Sequence, residues 1–458
     1  MAATNIPRVV VAGTHSGVGK TTVATGLMAA FRARDVAVAS AKIGPDFIDP
    51  GFHSVATARA PRNLDAWICG LDAMAPLAAR AGQGVDLLVI EGVMGLYDGA
   101  VDGAPSSTAD VAIALNAPVV LVVDGSAMSG SVAAMVRGYR DHDPSVSIVG
   151  VILNRVSNDR HRQLLTEALD AIGVDVLGSL ASDDAMTWRD RHLGLVPVEE
   201  RPAEVAASID RLASIVAGSC DLDSVARAAN AAAPLDATSV ALPRRVAPVR
   251  VAVAAGRAFT FVYRDNVEAL EAAGAEVVSF DPLRDERLPP DIDGLIVGGG
   301  FPEVFVERLA DNRRLLDDVK AAIERRVPTW AECGGLLWLA RALDDRPLVG
   351  AVPAAASMTE RLTLGYRRAR ALAPNPVLPV GATARGHEFH YSEVQPSGDA
   401  LELVSRFGQR TEGFASPTLL ATYLHQHLGA DPSPAVHFVA ACAMAASRKS
   451  RGIPAPGA

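Results

Sequence analysis

The stretch Arg8-Val-Val-Val-Ala-Gly-Thr-His-Ser-Gly-Val-Gly-Lys-Thr-Thr22 decides the first half of the chain. An apolar run enters a glycine-bracketed turn that closes on Gly19, Lys20, Thr21 and Thr22, and Val23 to Arg32 continues with a helical pattern. Strand, turn and helix in that order make a phosphate-binding loop. Small residues let backbone N–H groups curl around an anion, the helix presents its positive end, and a lysine reaches the outer phosphates. The expected nucleotide contacts are Gly13, Thr14, Ser16, Gly17, Val18, Gly19, Lys20, Thr21 and Thr22, with the Thr21 hydroxyl offered to Mg²⁺. The competing reading is a glycine-rich turn with an exposed lysine.

The first glycine of the turn is Gly13 and position 14 is Thr, so the loop is one residue longer than the standard signature. That variant resembles dethiobiotin synthetase and its relatives. Outward from the loop, strand and helix patterns alternate. Val36 to Ala41 reads as a strand, and Lys42-Ile-Gly-Pro-Asp-Phe-Ile-Asp-Pro50 as a loop at its carboxyl end, where open α/β sheets place ligands. Asp46 and Asp49 there either hold Mg²⁺, meet substrate, or form a solvated acidic turn. Val85 to Glu91 is an apolar run closed by a carboxylate, as in a buried parallel strand. An acid at such a tip is a metal holder, because Mg²⁺ takes hard oxygens beside phosphates. Asp98 follows in Gly92-Val-Met-Gly-Leu-Tyr-Asp-Gly99 as a further acid for substrate. Further strands at 118–124, 147–154 and 176–180 predict a doubly wound, mainly parallel sheet, with Asn154-Arg155 placed where a nucleotide base is read.

The chain has 458 residues, 49% hydrophobic and 21% charged, which predicts large buried cores in more than one domain. A net charge of −9 argues against a general nucleic-acid or membrane-surface binder. The first residues lack the features of a signal peptide and no apolar run is long enough to span a bilayer, so a cytoplasmic protein is expected. Cys69, Cys220, Cys333 and Cys442 are far apart and read as neither a disulfide frame nor a zinc site. The expected division is 1–219 for the first domain, an Ala- and Pro-rich linker at 220–248 whose alanines allow a short helix within it, a second α/β domain at 249–446 and a tail at 447–458.

In the second domain, Gly298-Gly-Gly300 after an apolar strand lets backbone N–H groups of Gly299 and Gly300 face a small polar group or an oxyanion. In Val327-Pro-Thr-Trp-Ala-Glu-Cys-Gly-Gly-Leu-Leu-Trp-Leu339 a strand meets a helix at Cys333. Such an elbow exposes a thiol at the sheet's edge, and the helix N-terminus is expected to lower its pKa. A buried structural cysteine is the alternative. A base is available in Leu420-Ala-Thr-Tyr-Leu-His-Gln-His427, where His425 and His427 share a face if the segment is a strand; ordinary surface histidines are the alternative.

Seven motifs in order, from Lys42–Pro50 and Glu91–Gly99 through Gly298–Glu303, Ala331–Gly335, Leu362–Tyr366 and Gly386–Ser392 to Tyr423–His427, resemble the cobyrinic acid a,c-diamide synthase family, which includes the enzymes for the cobalt-free hydrogenobyrinic acid. The resemblance implies a dethiobiotin-synthetase-like domain fused to a class I glutamine amidotransferase domain. It departs at Gly256-Arg257, where an acid is expected, at Phe301 in place of tyrosine, and in lacking the glutamate that follows the catalytic histidine of other class I amidotransferases; His427 stands there.

The resemblance implies ATP, L-glutamine and a corrin macrocycle as partners, with a homodimer allowed. ATP would be held by the phosphate loop, with Mg²⁺ on Thr21, Asp46 and Glu91, and would phosphorylate a substrate carboxylate. Cys333 would attack glutamine, with His425 managing protons and Gly299 and Gly300 stabilising the oxyanion. The Ala, Val and Arg richness suggests a GC-rich genome and tilts the substrate toward the cobalt-free macrocycle. Cobyric acid synthase, nickel-sirohydrochlorin a,c-diamide synthase and a partitioning-type nucleotide switch are the rival readings.

Overall fold

Val9, Val10 and Val11 are wholly buried, and the strand Arg8–Gly13 that carries them lies at the centre of a seven-stranded sheet. A computed structural model describes residues 5–450, apart from 101, 183–189, 192–193, 196–197, 199–200 and 237–241. It divides into two bodies, Met1–Val240 and Ala241–Ala458.

In the first body the strand order is Arg62–Leu64, Val38–Ile43, Leu87–Glu91, Arg8–Gly13, Val119–Asp124, Ile148–Val156 and Val176–Ala181. Every pair is parallel. Both faces are covered, so the strands read as continuous apolar runs. The chain moves to one side of Arg8–Gly13 and later to the other, which opens a crevice beyond its carboxyl end. The helix Lys20–Arg32 buries Val23, Leu27, Met28 and Phe31 in one core with Ile209, Leu212 and Val216 of the helix Pro202–Ser219. Each large apolar side chain so buried contributes about 1.5–3 kcal/mol.

The first body extends beyond the expected boundary at 219. Cys220 bridges to Gly178, and the helix Leu222–Asn230 puts Leu222, Val225 and Ala229 into the same core. The buried guanidinium of Arg8 donates to Leu115 O at 2.8 Å and also to Ala233 O, tying that segment to the sheet. An Ala-rich stretch reads as a linker by composition, yet small side chains are what let a helix lie close on a filled core. Of the expected tail, residues 447–450 end the helix Ser433–Ser450, and 451–458 lie outside the described residues.

The second body contains a six-stranded sheet in the order Ala275–Phe280, Val249–Ala254, Gly294–Val297, Thr329–Glu332, Leu419–Thr422 and Phe414–Ser416, parallel except at the last strand. It also has a mixed sheet built on the antiparallel pair Ala355–Ala371 and Thr383–Gln395, which the sequence reading left unassigned. The short strand His425–Gln426 joins that sheet with His425 opposite His387, bringing two histidines side by side.

Candidate functional site

Each body carries one cluster of chemically capable side chains at the carboxyl ends of its parallel strands. In the first, Gly19 has φ +98°, and a Cβ there would come within 2.2 Å of Asn154 Nδ2. The loop is braced by neighbours. Asn154 Nδ2 donates to Val18 O at 2.9 Å, Arg155 Nη2 to Gly17 O at 2.8 Å, and Tyr139 OH to Thr14 O. Asn154 and Arg155, at the end of their strand, thus lie against the backbone of the phosphate loop. His15, Ser16 and Gly17 are exposed at the crest. Lys20 Nζ donates to His15 O at 3.2 Å, and burial, followed by the nearby Lys42, pulls its pKa down to about 8.

Glu91 ends its strand beside Val11 and is completely buried. Its Oε1 accepts from Thr21 Oγ1 at 2.7 Å and from Lys42 Nζ at 3.0 Å, while Oε2 meets His53 Nε2 at 2.6 Å. Burial alone would raise the pKa of Glu91. Lys42, His53 and Thr21 outweigh it and hold the carboxylate below its ordinary range. Lys42 also reaches Asp49 Oδ2 at 2.9 Å; burial opposes its charge, but Asp49, Glu91 and Asp46 win and raise its pKa. For Asp49 burial dominates, reinforced by Asp46 and Glu91, and its pKa lies well above the usual value. Asp46 Oδ1 accepts from Ile48 N at 2.7 Å and Asp49 N at 3.3 Å, and Asp98 Oδ2 accepts from Gly95 N at 2.8 Å, so both acids also shape their own turns.

Sequence reasoning gave no role to Lys42 or His53. A lysine within a strand whose six positions are all buried was the available signal for the first; His53, inside a helix, gave none. Among the described residues no group of three His, Cys, Asp or Glu side chains is arranged to hold a metal alone. Thr21 Oγ1 and Glu91 Oε1, 2.7 Å apart, are hard oxygens of the kind Mg²⁺ takes beside waters and phosphate oxygens, whereas Asp46 Oδ1 is bonded within its own turn.

In the second body Cys333 has φ +48° and ψ −101° between the strand Thr329–Glu332 and the helix Gly334–Leu339. A backbone strained in this way is held by its surroundings: Cys333 N donates to Thr422 O at 2.7 Å, and Sγ faces Phe389 O at 3.8 Å. Gly300 has φ +155°, and a Cβ on it would lie 2.2 Å from Ala258 O. The nucleophile's turn packs directly on this glycine run, since a Cβ on Gly334 would be 3.1 Å from Gly300 N. His425 closes the group from the other side, its Cε1 within 2.4 Å of where a Gly299 Cβ would stand. The His387 ring stacks on that of His425 with centroids 4.9 Å apart.

The strand of His425 ends at Gln426, and His427 turns to Asp265 Oδ2, 3.7 Å away, and to the ring of Tyr263, 4.5 Å between centroids. His425 is the histidine set against Gly299, and His387 is influenced by both His425 and His427. The expected lowering of the thiol pKa also fails. Burial first, then Glu303, pushes Cys333 well above the usual thiol range, against the pull of the Gly334 amide. Burial and then His390 push His425 down to about 3, with Glu388 in opposition. Both shifts favour the uncharged forms, thiol and imidazole. Glu332, His387 and the Glu388 pairs with Arg367 and Arg410 were missing from the sequence reading. Glu332 was in plain view inside the cysteine motif, but nothing showed which way it points.

Doubly wound bodies with a phosphate loop in one and an elbow cysteine beside a histidine in the other define a nucleotide-binding glutamine amidotransferase. Residues 9–196 match the CobQ/CobB/MinD/ParA nucleotide binding domain, and residues 250–433 match the CobB/CobQ-like glutamine amidotransferase domain. The chain is 47% identical to hydrogenobyrinate a,c-diamide synthase of Streptomyces coelicolor, over 95% of this chain and 98% of that one. It is 45% identical to the protein of the same name from Thermobifida fusca, over 95% and 97%. Cobyrinate a,c-diamide synthase of Synechococcus sp. is 40% identical over 95% and 98%. The chain belongs to the a,c-diamide synthase family. No helix among the described residues is long and apolar enough to cross a membrane.

Proposed function

We propose that this chain amidates the a and c acetate carboxylates of hydrogenobyrinic acid, or of its cobalt-containing counterpart cobyrinic acid, using ATP and glutamine in cobalamin biosynthesis. The observation that carries the reading is the pairing, in one chain, of a braced phosphate loop with a strained cysteine whose turn packs on Gly300 beside His425. Similarity to two hydrogenobyrinate enzymes at 47% and 45%, against 40% for the cobyrinate enzyme of Synechococcus, favours the cobalt-free macrocycle.

A carboxylate does not react with ammonia at a useful rate, so it must first be made electrophilic. In the first body a substrate carboxylate oxygen attacks the γ-phosphorus of ATP, ADP departs, and an acyl phosphate remains. Backbone N–H groups from Gly13 to Thr22 and the Lys20 ammonium hold the phosphates in line. Mg²⁺, held by Thr21, Glu91 and Asp46, would draw negative charge from the phosphate oxygens. Lys42 belongs to this set through its contacts with Glu91 and Asp49. Asp46, Asp49 and Asp98 would be the acids of this body that meet the macrocycle.

In the second body His425 takes the Cys333 proton as sulfur attacks the glutamine side-chain amide. N–H groups at Gly299 and Gly300 receive the developing oxyanion. His425 returns the proton to the leaving ammonia, and water then hydrolyses the thioester to glutamate. Ammonia attacks the acyl phosphate and phosphate leaves, giving the amide. An enzyme drawing on these common metabolites would work in the cytoplasm.

The test is to incubate the chain with ATP, Mg²⁺, glutamine and either macrocycle and weigh the product. Two carboxyl-to-amide changes on the cobalt-free macrocycle are expected. No change on either macrocycle, in the presence of active glutamine hydrolysis, defeats the assignment.

A further inference from the structure

The two edges of the His425 ring meet different surroundings. The Cε1–Nε2 edge lies on Gly299, with a Cβ there falling 2.4 Å from Cε1 and 3.2 Å from Nε2. The Nδ1 edge faces Glu332, whose Oε2 is 3.8 Å away. Glu332 immediately precedes the nucleophile, closes the strand Thr329–Glu332 and is buried. Its other oxygen, Oε1, accepts from Gln426 N at 3.3 Å, so the carboxyl group is held against the backbone next to the histidine.

We propose that Glu332 is the positioning residue for His425, taking the part that a glutamate two residues after the histidine plays in other class I amidotransferases. This rests on the reading of Cys333 and His425 as the glutamine-cleaving pair. His427, which occupies that later position, faces Asp265 and Tyr263 instead. Two other acids lie near the pair: Glu303 acts on the Cys333 thiol, and Glu388 has its two oxygens held by Arg367 and Arg410. Glu332 is left as the carboxyl group on the Nδ1 side. An acceptor at Nδ1–H fixes the tautomer whose lone pair is on Nε2, the edge turned to Gly299, and steadies the imidazolium formed when the thiol proton arrives. A separation of 3.8 Å is loose for a hydrogen bond, and such catalytic contacts commonly tighten only when substrate is bound.

The side chain's two oxygens are both committed, which makes glutamine an informative substitute. If the amide oxygen of a Glu332→Gln variant still accepts from Gln426 N, its NH₂ group faces Nδ1 and favours the wrong tautomer; if the amide flips, it meets the Gln426 N–H with a donor. Either way one contact is mismatched at nearly constant volume.

The experiment measures glutamine hydrolysis and ammonia-driven diamide synthesis in wild type, Glu332→Gln, Glu332→Asp, His425→Ala and the Glu332→Gln/His425→Ala double variant. The expected result for Glu332→Gln is a fall of about 10²-fold in glutaminase kcat with KM for glutamine nearly unchanged. Ammonia-driven synthesis should persist and report that the chain is folded. Glu332→Asp, which restores an acceptor, should recover part of the loss, and the double variant should hydrolyse glutamine as slowly as His425→Ala alone. A fall of less than about 3-fold, or a further loss on adding Glu332→Gln to His425→Ala, overturns the proposal, because a residue acting only through His425 has nothing left to affect. If Glu332→Gln does not fold, the same cycle run with Glu332→Ala, which also removes the acceptor, decides by the same criterion. A wild-type chain that makes diamide from ammonia but never cleaves glutamine would overturn the underlying reading of Cys333 and His425, and this inference with it.

Discussion

In the first body the buried Lys42 pairs with Asp49 and Glu91, and Glu91 also meets His53, so the lysine keeps its charge and Glu91 its own. In the second body Cys333 and His425 are equally buried, yet burial pushes the thiol up and the imidazole down until both are uncharged. The difference follows from what each site receives. A nucleotide brings several negative charges, so a cradle must hold cations in place before it binds, and counter-charges keep those cations buried. Glutamine brings a neutral amide. A thiolate there need exist only during attack, and a thiol at rest is protected from oxidation and idle chemistry.

The largest effect separates the two bodies. Cys333→Ala should reduce glutamine hydrolysis and glutamine-driven synthesis to background, while diamide synthesis from free ammonia continues. Loss of both activities would break the division of labour. Glu91→Gln should do the reverse, lowering synthesis from either nitrogen source by roughly 10²–10³-fold while leaving glutamine hydrolysis in place. Equal loss of hydrolysis would show that the two sites are not separately competent.

The two histidines give the next, smaller contrast. His425→Ala should lower glutaminase kcat by about 10²–10⁴-fold. His427→Ala should act mainly on stability, since its neighbours are Asp265 and Tyr263 rather than the glycine run beside Cys333. A larger kcat loss for His427→Ala would reverse the assignment. This choice shows where reading the sequence stops. The spacing of His425 and His427 suggested a shared face on a strand, but the strand closes after Gln426, and only the packed chain shows that His425 meets Gly299 while His427 meets Asp265 and Tyr263.

The smallest effect is on pH. Burial, opposed by the Gln426 amide, pushes Glu332 up to about 8 from 4.5, so the folded state holds its proton more tightly than the unfolded chain does. Its contribution to stability is present below about pH 4.5 and is lost as pH rises toward 8. His425, lowered from 6.5 to about 3, works the other way: the unfolded chain takes up a proton that the folded state refuses, so stability falls as pH drops from about 6.5 to 3. Thermal melts of the second body should be highest at intermediate pH. With Glu332 as the acceptor at Nδ1, and with His387, His390, Glu303 and Glu388 also near the pair, glutaminase kcat should rise through about pH 8 as that carboxyl ionises. A pH-independent kcat in wild type would remove Glu332 from the chemistry.

Much of the fold was legible because its signals are local. The valines of 9–11, the glycines that follow and the Lys20-Thr21 pair can form a phosphate loop only in that order, and parallel strands buried on both faces advertise themselves as apolar runs. The elbow at Cys333 was legible for the same reason. Less was readable where composition misleads: Leu222–Asn230 is helix and core, although its alanines suggest a linker. The mixed sheet of the second body depends on pairing between segments far apart in sequence, which no short window records.

The sequence by itself determined the two doubly wound bodies, the loop around Lys20, the acid at Glu91 and the strand-to-helix elbow at Cys333, since each is a run of neighbouring residues whose local conformation follows from size and polarity. Only the tertiary structure decided that Lys42 and His53 close on Glu91, that His425 rather than His427 meets the cysteine's glycines, that Glu332 faces the histidine's far nitrogen, and that the thiol rests protonated. These depend on which side chains long-range pairing brings together and on how completely water is excluded from them, and both are properties of the packed chain.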